Sequence, residues 1–492
     1  MHKTSGNTSY SHIIKYTGLF GGVQFLTILL GIVRNKLVAM LLGPSGMGLV
    51  SLFNSTTKMM SDATGLGIQT SGVRNMSDAY QNGDKKQMAH TVKLIRSWSI
   101  VTAIIGTVLC IILSPFLNNW TFSWGNHTLH YVLLSPVIGL TAITGGEMAV
   151  MKGTRQLKSL ASISVFHVLL ALLISVPLYF YLGESGIIPS LVLMALTLMV
   201  LTIAYSWRMF PLRLSFGKSF LHEGWGMIRL GVGFVVALLM GSLAEFVIRS
   251  FLNNNGSLEI LGLYNAGYMI SMTYGGMVFA AMETDYFPRI SAVNDDNRSF
   301  NLLVNKQIEV SLLIVAPLLV MLIIFLPILV PLLFSGRFVG VVPMVQVSVL
   351  ALYMRAIKLP LSYIPLAKGD SLFYLFIEGF YAVGIIIMSI VGFNMWGLFG
   401  TGVALAVMSV VDFIMLAACM RVKYGFKFST RVMNMAARQL PIGLLAYALS
   451  WMEESILYYT LGLILAGISA FLSFQSLKKK TRLMQYLKQR FH

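Results

Sequence analysis

Residues 13–75 read IIKYTGLFGGVQFLTILLGIVRNKLVAMLLGPSGMGLVSLFNSTTKMMSDATGLGIQTSGVRN, and the fold follows from how that stretch mixes charge with apolar length. Residues 13–33 are mostly apolar, Arg34 and Lys36 interrupt them, and Leu37–Leu42 is apolar again. As one helix, 13–42 is about 45 Å long, enough to cross a hydrocarbon core of about 30 Å with tilt. Arg34 then lies about 12 Å from one end, inside the hydrocarbon depth. An arginine there costs about 2.5–3.5 kcal/mol on insertion scales, so it has to face water, a partner or a ligand. The next helix carries Ser51, Asn54, Ser55, Lys58, Asp62 and Gly65 at three- and four-residue spacing, which puts them on one face. A polar face within a membrane span points to a cavity rather than to lipid.

Composition agrees. The chain has 492 residues, 56% hydrophobic and 11% charged, with a mean hydropathy of +0.77; a soluble chain carries about 25% charged residues. Apolar runs of spanning length recur from 13–42 to 456–475, about fourteen in all, so the expected fold is an all-α polytopic membrane protein. The start of the chain is polar and no small-residue cleavage site follows the first apolar run, so no cleavable signal peptide is expected. Cys110 and Cys419 lie in separate apolar runs and offer neither a disulfide framework nor a metal cluster, and no metal or cofactor is expected. A net charge of +18 would suggest nucleic acid in a soluble protein. Here the placement of the charge says otherwise, and nucleic acid is not an expected partner. With residue 1 inside, 29 of the 36 lysines and arginines fall on inner segments and one, Arg337, on an outer loop. That asymmetry places both termini in the cytoplasm and the basic tail after 475 on the anionic inner surface.

An internal repeat runs at an offset near 214 residues. It aligns Arg34 with Arg249, Gly48-Leu49 with Gly262-Leu263, Arg74 with Arg289, Lys152-Gly153 with Lys368-Gly369, and Gly183 and Gly186 with Gly397 and Gly400. Residues 1–214 and 215–428 therefore read as two copies of a six-helix unit, and 429–492 adds a helix pair and tail. An even number of spans per copy makes the copies parallel, an arrangement found in alternating-access transporters with the site between the halves.

Six cations fall within spans: Arg34, Lys36, Lys58, Arg249, Arg355 and Lys358. Arg355 and Lys358 share a helix face, and Pro360 and Pro365 after them are expected to kink that helix. Glu245 stands one turn before Arg249, and Asp62 one turn after Lys58, so each pair could be a structural ion pair. Lys36 and Arg249 lie near enough to an interface to snorkel. Arg34, Lys36, Arg355 and Lys358 have no local counter-charge, and surplus positive charge in a wet cavity suits an anion, phosphate above all. Asp62, Glu147, Glu245 and Asp412 are candidates for coupling to an ion, with Glu378 and His167 further embedded titratable groups, although each such group alone is more often structural. Glu283 and Asp285, near an inner helix end, are candidate gate residues. Gly65/Gly67 and Gly231/Gly233 read as close-packing glycines rather than phosphate loops.

These stretches carry a resemblance. GIVRNKLVAMLLGPSGMGLVSLFNS, AMETDYFPRIS, LLFSGRFVGVVPMVQVSVLALYMRAIKLPLSYIPLAKGDSLFY and GLFGTGVALAVMSVVDF together resemble the polysaccharide-exporting branch of the multidrug/oligosaccharidyl-lipid/polysaccharide exporter superfamily, most of all its O-antigen and related lipid-linked oligosaccharide flippases. The resemblance covers about 1–425. It implies a V-shaped bundle that carries a polyprenyl-pyrophosphate-linked glycan from the inner to the outer leaflet of the bacterial inner membrane. It also implies polysaccharide polymerase and chain-length machinery as partners beside membrane lipids. In related peptidoglycan-precursor flippases an arginine on the first helix matters, and Arg34 stands at the matching place. Twelve-helix members lack the pair at 436–475; in some fourteen-helix relatives that pair forms a lipid-tail groove.

The expected function is thus a non-enzymatic flippase for an O-antigen or similar lipopolysaccharide repeat unit, its pyrophosphate held by Arg34, Lys36, Lys58, Arg249, Arg355 and Lys358. A multidrug antiporter of the same superfamily would need an acidic cavity. A glycan polymerase or ligase would carry catalytic residues on an extended outer loop, and the longest here, about 116–130, offers only His127 and His130. A membrane scaffold would leave the embedded cations without a purpose.

Overall fold

The computed structural model describes residues 5–214, 220–293 and 297–478. Side chains are described from Leu26 onward, excepting 220, 221, 230, 232, 234, 280, 281, 283–285, 288, 477 and 478. The described elements are all helical: α1 (Ser5–Thr64), α2 (Ile68–Gln81), α3 (Lys85–Thr121), α4 (Thr128–Gly153), α5 (Leu157–Leu182), α6 (Ile187–Met209), α7 (Phe220–Asn255), α8 (Leu258–Tyr268), α9 (Met277–Ala292), α10 (Asn297–Leu333), α11 (Val342–Ser348), α12 (Leu350–Ala367), α13 (Ser371–Tyr424), α14 (Thr430–Leu449) and α15 (Ile456–Lys478). The chain is an all-α multi-pass membrane protein.

Two of these helices are pairs joined across a break. Gly43 (φ 65°, ψ −170°) divides α1 where the first apolar run was expected to end, and Gly397 (φ 57°, ψ −140°) divides α13. Both need a left-handed backbone that glycine supplies without strain. At Gly397 the helix folds back, so that a Cβ on Gly392 would stand 2.3 Å from the Gly400 carbonyl oxygen. Gly183, which the offset near 214 aligns with Gly397, has φ 57° and ψ −132° and turns α5 into α6 in the same manner. By length and apolarity eight helical stretches qualify as spans, or nine when Gly336–Ser348 and Leu350–Ala367, bent by 44°, count as one. Two of the eight, Leu157–Met209 and Ser371–Tyr424, are these doubled-back hairpins. That criterion takes each doubled-back hairpin, and α1 across its break at Gly43, as one stretch; it leaves out α14, which with Arg431 and Arg438 is too polar to meet it, and α8 and α9, separated by a π-helical turn at Met269–Tyr274.

Contacts group the chain into two compact units, one of residues 1–262 with 333–335 and one of 263–332 with 336–492. The first therefore takes in α7, which packs on α1, α2 and α3, so compactness and the sequence repeat divide the chain at different places. Within the first unit the equivalent glycines Gly48 and Gly262 make reciprocal contacts. A Cβ on Gly48 would lie 2.2 Å from the Leu258 carbonyl oxygen, and one on Gly262 would lie 1.8 Å from that of Pro44. Pro44 and Leu258 are themselves related by the offset of 214, so each copy's glycine meets the other copy's equivalent residue, as a local two-fold relation requires.

Many polar groups in both units are satisfied internally, as a membrane favours. Ser114 and Thr121 donate to the carbonyls of Cys110 and Leu117 one turn earlier. In the second unit Pro327 leaves the Ile323 carbonyl without its helical donor, and Gln346 Nε2 lies 3.4 Å from that oxygen. Tyr353 and Tyr458 donate to the carbonyls of Ala316 and Ile324 on the same buried helix, α10. The 44° bend lies before the prolines that were expected to kink this helix. α12 runs unbroken through both prolines and the bend falls at Val349, between α11 and α12.

Candidate functional site

The break at Gly43 fixes the first half of α1 against α5, and this sets Arg34. Its Nε donates to Ser175 Oγ at 3.1 Å and its Nη2 lies 3.2 Å from Met194 Sδ. Tyr179 and His167 stand close enough to couple to it electrostatically. Among the described residues these partners are a hydroxyl, a thioether, a phenol and an imidazole, with no carboxylate. Ser175 donates its hydroxyl hydrogen bond to the Ala171 carbonyl, so its oxygen lone pairs accept from the guanidinium. Lys36, half-buried, is two residues further on and so on the other side of the helix from Arg34.

The second half of α1 and α7 hold a different cluster. Lys58 Nζ donates to Glu245 Oε1 at 3.0 Å, and Glu245 Oε2 takes Arg249 Nη1 at 3.2 Å, one turn away on the same helix. Arg249, buried, also donates from Nε to Ser51 Oγ at 2.8 Å. The expected Glu245–Arg249 pair is present. Lys58, however, takes Glu245 across the helix packing instead of Asp62 along its own helix. Asp62 lies beside Lys58, Glu245 and Ser242, and its Oδ2 is buried with no hydrogen-bond partner among the described residues. Lys58 itself keeps about half of its side chain exposed.

In the second unit Arg355 and Lys358 do share a face, and both reach Tyr381 on α13. Lys358 sits 4.3 Å over that ring and pairs with Asp412; the Arg355 guanidinium lies 5.4 Å over the Phe279 ring. Lys358 was expected to lack a counter-charge. It has one because α13 doubles back at Gly397 and returns Asp412 to it. Asp412 Oδ1 is buried without a partner among the described residues, and Glu378 is near enough to feel both Lys358 and Asp412.

Glu147, expected as an ion-coupling candidate, is fully engaged. Arg96 Nε and Nη2 grip its two oxygens at 2.8 and 3.0 Å, Ser206 donates at 2.6 Å and Trp207 Nε1 at 3.0 Å. Both charged side chains are almost wholly buried. Sequence reading assigned Arg96 to an inner segment and missed this pair. Its signal was the Gly145-Gly146-Glu147 run: a Cβ on Gly146 would meet Ser99 Oγ at 2.0 Å, so those glycines bring α3 and its arginine against the carboxylate. The side chains of Glu283 and Asp285 lie outside the described residues. Of the embedded cations, Lys58 and Arg249 meet Glu245 and Lys358 meets Asp412, while the described partners of Arg34 are all neutral.

The outer stretch holds His127 stacked on Phe122, 4.0 Å between centroids, with its Nδ1 2.9 Å from that of His130. Burial first, and then the neighbouring His130, hold the His127 imidazole below its usual range. No group of three or more potential metal ligands occurs among the described residues.

A protein-family model described as "Polysaccharide biosynthesis protein" matches residues 37–343. A search of curated protein sequences gives no match. Among solved structures, the chain is similar to an inward-facing multidrug resistance MATE family transporter of the MOP superfamily, at TM-score 0.66 and 15% identity, covering 84% of this chain and 96% of that one. It is similar to the lipid II flippase MurJ in its inward closed conformation, at TM-score 0.66 and 13% identity, covering 94% and 99%. A MOP superfamily transporter from Pyrococcus furiosus, described as having a binding pocket of reverse polarity that suggests a different function, aligns at TM-score 0.57 and 14% identity over 82% and 93%. At these identities the likeness is one of fold.

Proposed function

The chain belongs to the polysaccharide biosynthesis protein family, and from that premise we propose that it is a flippase for a polyprenyl-pyrophosphate-linked oligosaccharide, the repeat unit of an O-antigen or a related surface polysaccharide. The observation that carries this reading is Arg34, a guanidinium at membrane depth whose described partners are all neutral. A diphosphate taken from water into that environment without cations would be prohibitively desolvated, and a guanidinium meets its oxygens with two parallel donors. Lys58 and Arg249 are the further cations of the first unit, with Lys36 on the opposite side of its helix from Arg34; Arg355 and Lys358 form a second cationic group in the second unit. Lys58 and Arg249 share one carboxylate, and Lys58, about half exposed, keeps ammonium donors for a phosphate oxygen. Exposure alternates by movement of the copy 1–214 against the copy 215–428, the pair in 429–492 being an addition to both. Asp62, Glu245 and Asp412 are the acids through which an ion gradient could act. The orphaned oxygens of Asp62 and Asp412 are where a proton would be accepted. The membrane is the bacterial inner membrane, with both termini cytoplasmic.

A multidrug antiporter shares the fold, but its cationic substrates are disfavoured by the charge on Arg34. The test is glycan export in cells and translocation of a polyprenyl-diphosphate-linked sugar in proteoliposomes. Losing one charge-assisted contact of about 1.5–3 kcal/mol predicts a fall of about ten- to a hundredfold for Arg34→Gln and for Arg355→Gln, with protein levels in the membrane unchanged. Wild-type export by both variants would remove the basis of the reading.

A further inference from the structure

The second unit contains a cavity of about 1300 Å³ that includes none of the candidate-site residues described above. Its walls come from α9, α10 and the link from α13 to α14, and five cations line it: Arg289, Arg298, Lys306, Lys427 and Arg431. Glu309 is the one acid in the described lining. A smaller cavity of about 340 Å³ shares Glu309, Leu313 and Arg431 with it and continues between α10, α14 and α15. The cationic wall is built rather than incidental. Asn305 donates to the Lys427 carbonyl at 2.9 Å and accepts from Ser429 N at 2.7 Å, while Asn301 accepts from Lys427 N at 3.2 Å. Ser429 then caps α14 by accepting from Val432 N. The link is thus clamped to α10, and Lys427 and Arg431 are held beside Lys306 before any ligand arrives.

The remaining wall is hydrocarbon. Leu302 and Val310 on α10 are 56% and 40% exposed, and Leu303, Leu313 and Phe428 also line the hollow. Cations that serve only as topology anchors need no concave apolar floor beside them. A ligand that satisfies both walls is an anion carrying its own hydrocarbon. The cations are spread over a volume far larger than one diphosphate, and this end of the unit is the one that the lysine and arginine asymmetry assigns to the cytoplasm.

We propose that this groove is a binding site for an acidic phospholipid of the cytoplasmic leaflet, its phosphate among Lys306, Lys427 and Arg431 and its chains along Leu302, Val310 and Leu313. The site is separate from the export reading, because binding is measured without translocation.

The test uses the full chain purified in detergent, with lipid retention followed by native mass spectrometry. Dioleoylphosphatidylglycerol should be retained and dioleoylphosphatidylcholine should not, with millimolar inorganic phosphate a poor competitor. Each cation near an anionic lipid contributes about fivefold, so Lys306→Gln/Lys427→Gln/Arg431→Gln should weaken phosphatidylglycerol by about a hundredfold. The charge-keeping variant Lys306→Arg/Lys427→Arg/Arg431→Lys should retain it. Should the neutral triple variant not fold, Lys427→Gln alone carries the test with a loss of about fivefold. Equal retention of phosphatidylcholine, unchanged retention by the neutral variants, or displacement by inorganic phosphate overturns the site. Displacement by equimolar farnesyl diphosphate overturns the phospholipid assignment in favour of the export substrate.

Discussion

At Glu147 four hydrogen bonds converge on one buried carboxylate, and that changes what the residue can do. A coupling acid has to exchange its proton as the transporter cycles; this one is neutralised by Arg96 and held by Ser206 and Trp207. Removing one partner of a buried pair costs about 3–5 kcal/mol because the other charge is left behind. Glu147→Gln should therefore lower the thermal unfolding temperature by several degrees, read by size-exclusion thermostability, and leave the pH dependence of transport in folded protein unchanged. A shifted pH profile at undiminished stability would restore Glu147 as a coupling residue. The same scale shows what the sequence made legible. One-turn spacing along a helix identified Glu245–Arg249, because such neighbours meet wherever the helix goes. It misassigned Lys58 and left Lys358 alone, because Glu245 and Asp412 reach them from other helices, at sequence separations of 187 and 54.

Helix ends were legible where glycine dictates them. Gly43, Gly183 and Gly397 each adopt positive φ; the first falls where the run 13–42 ends, and the other two are aligned by the repeat. The bend at Val349 was not legible, because no residue there requires it; the prolines that drew attention lie further along an unbroken helix. Close packing was legible as glycine but not as contact. Gly67 and Gly231 proved to touch: a Cβ on Gly231 would lie 2.9 Å from the Gly67 Cα, whereas one on Gly233 would meet nothing within 4 Å. Gly231→Ala should then force α2 and α7 apart and reduce the yield of monodisperse protein severalfold, and Gly233→Ala should not. The reverse order in a size-exclusion comparison would contradict the packing described for these helices.

On the scale of the molecule, composition alone identified a polytopic helical membrane protein, and the offset near 214 predicts two related halves. What it did not reveal is that α7, the opening helix of the second half, packs with the first. A chain severed between α6 and α7 should on this account be recoverable only as a pair. Residues 1–214 and 215–492 expressed together should co-purify and restore export, while 1–214 alone should be unstable for want of α7. Stable, monomeric 1–214 would show that α7 is dispensable there. The reciprocal contact of Gly48 and Gly262 carries this further. A patch that docks against its own equivalent is how identical subunits meet in a dimer, yet here a single polypeptide supplies both sides. Such a junction is the contact a duplicated and fused gene would keep from a self-pairing precursor, with both copies of the patch now on one chain.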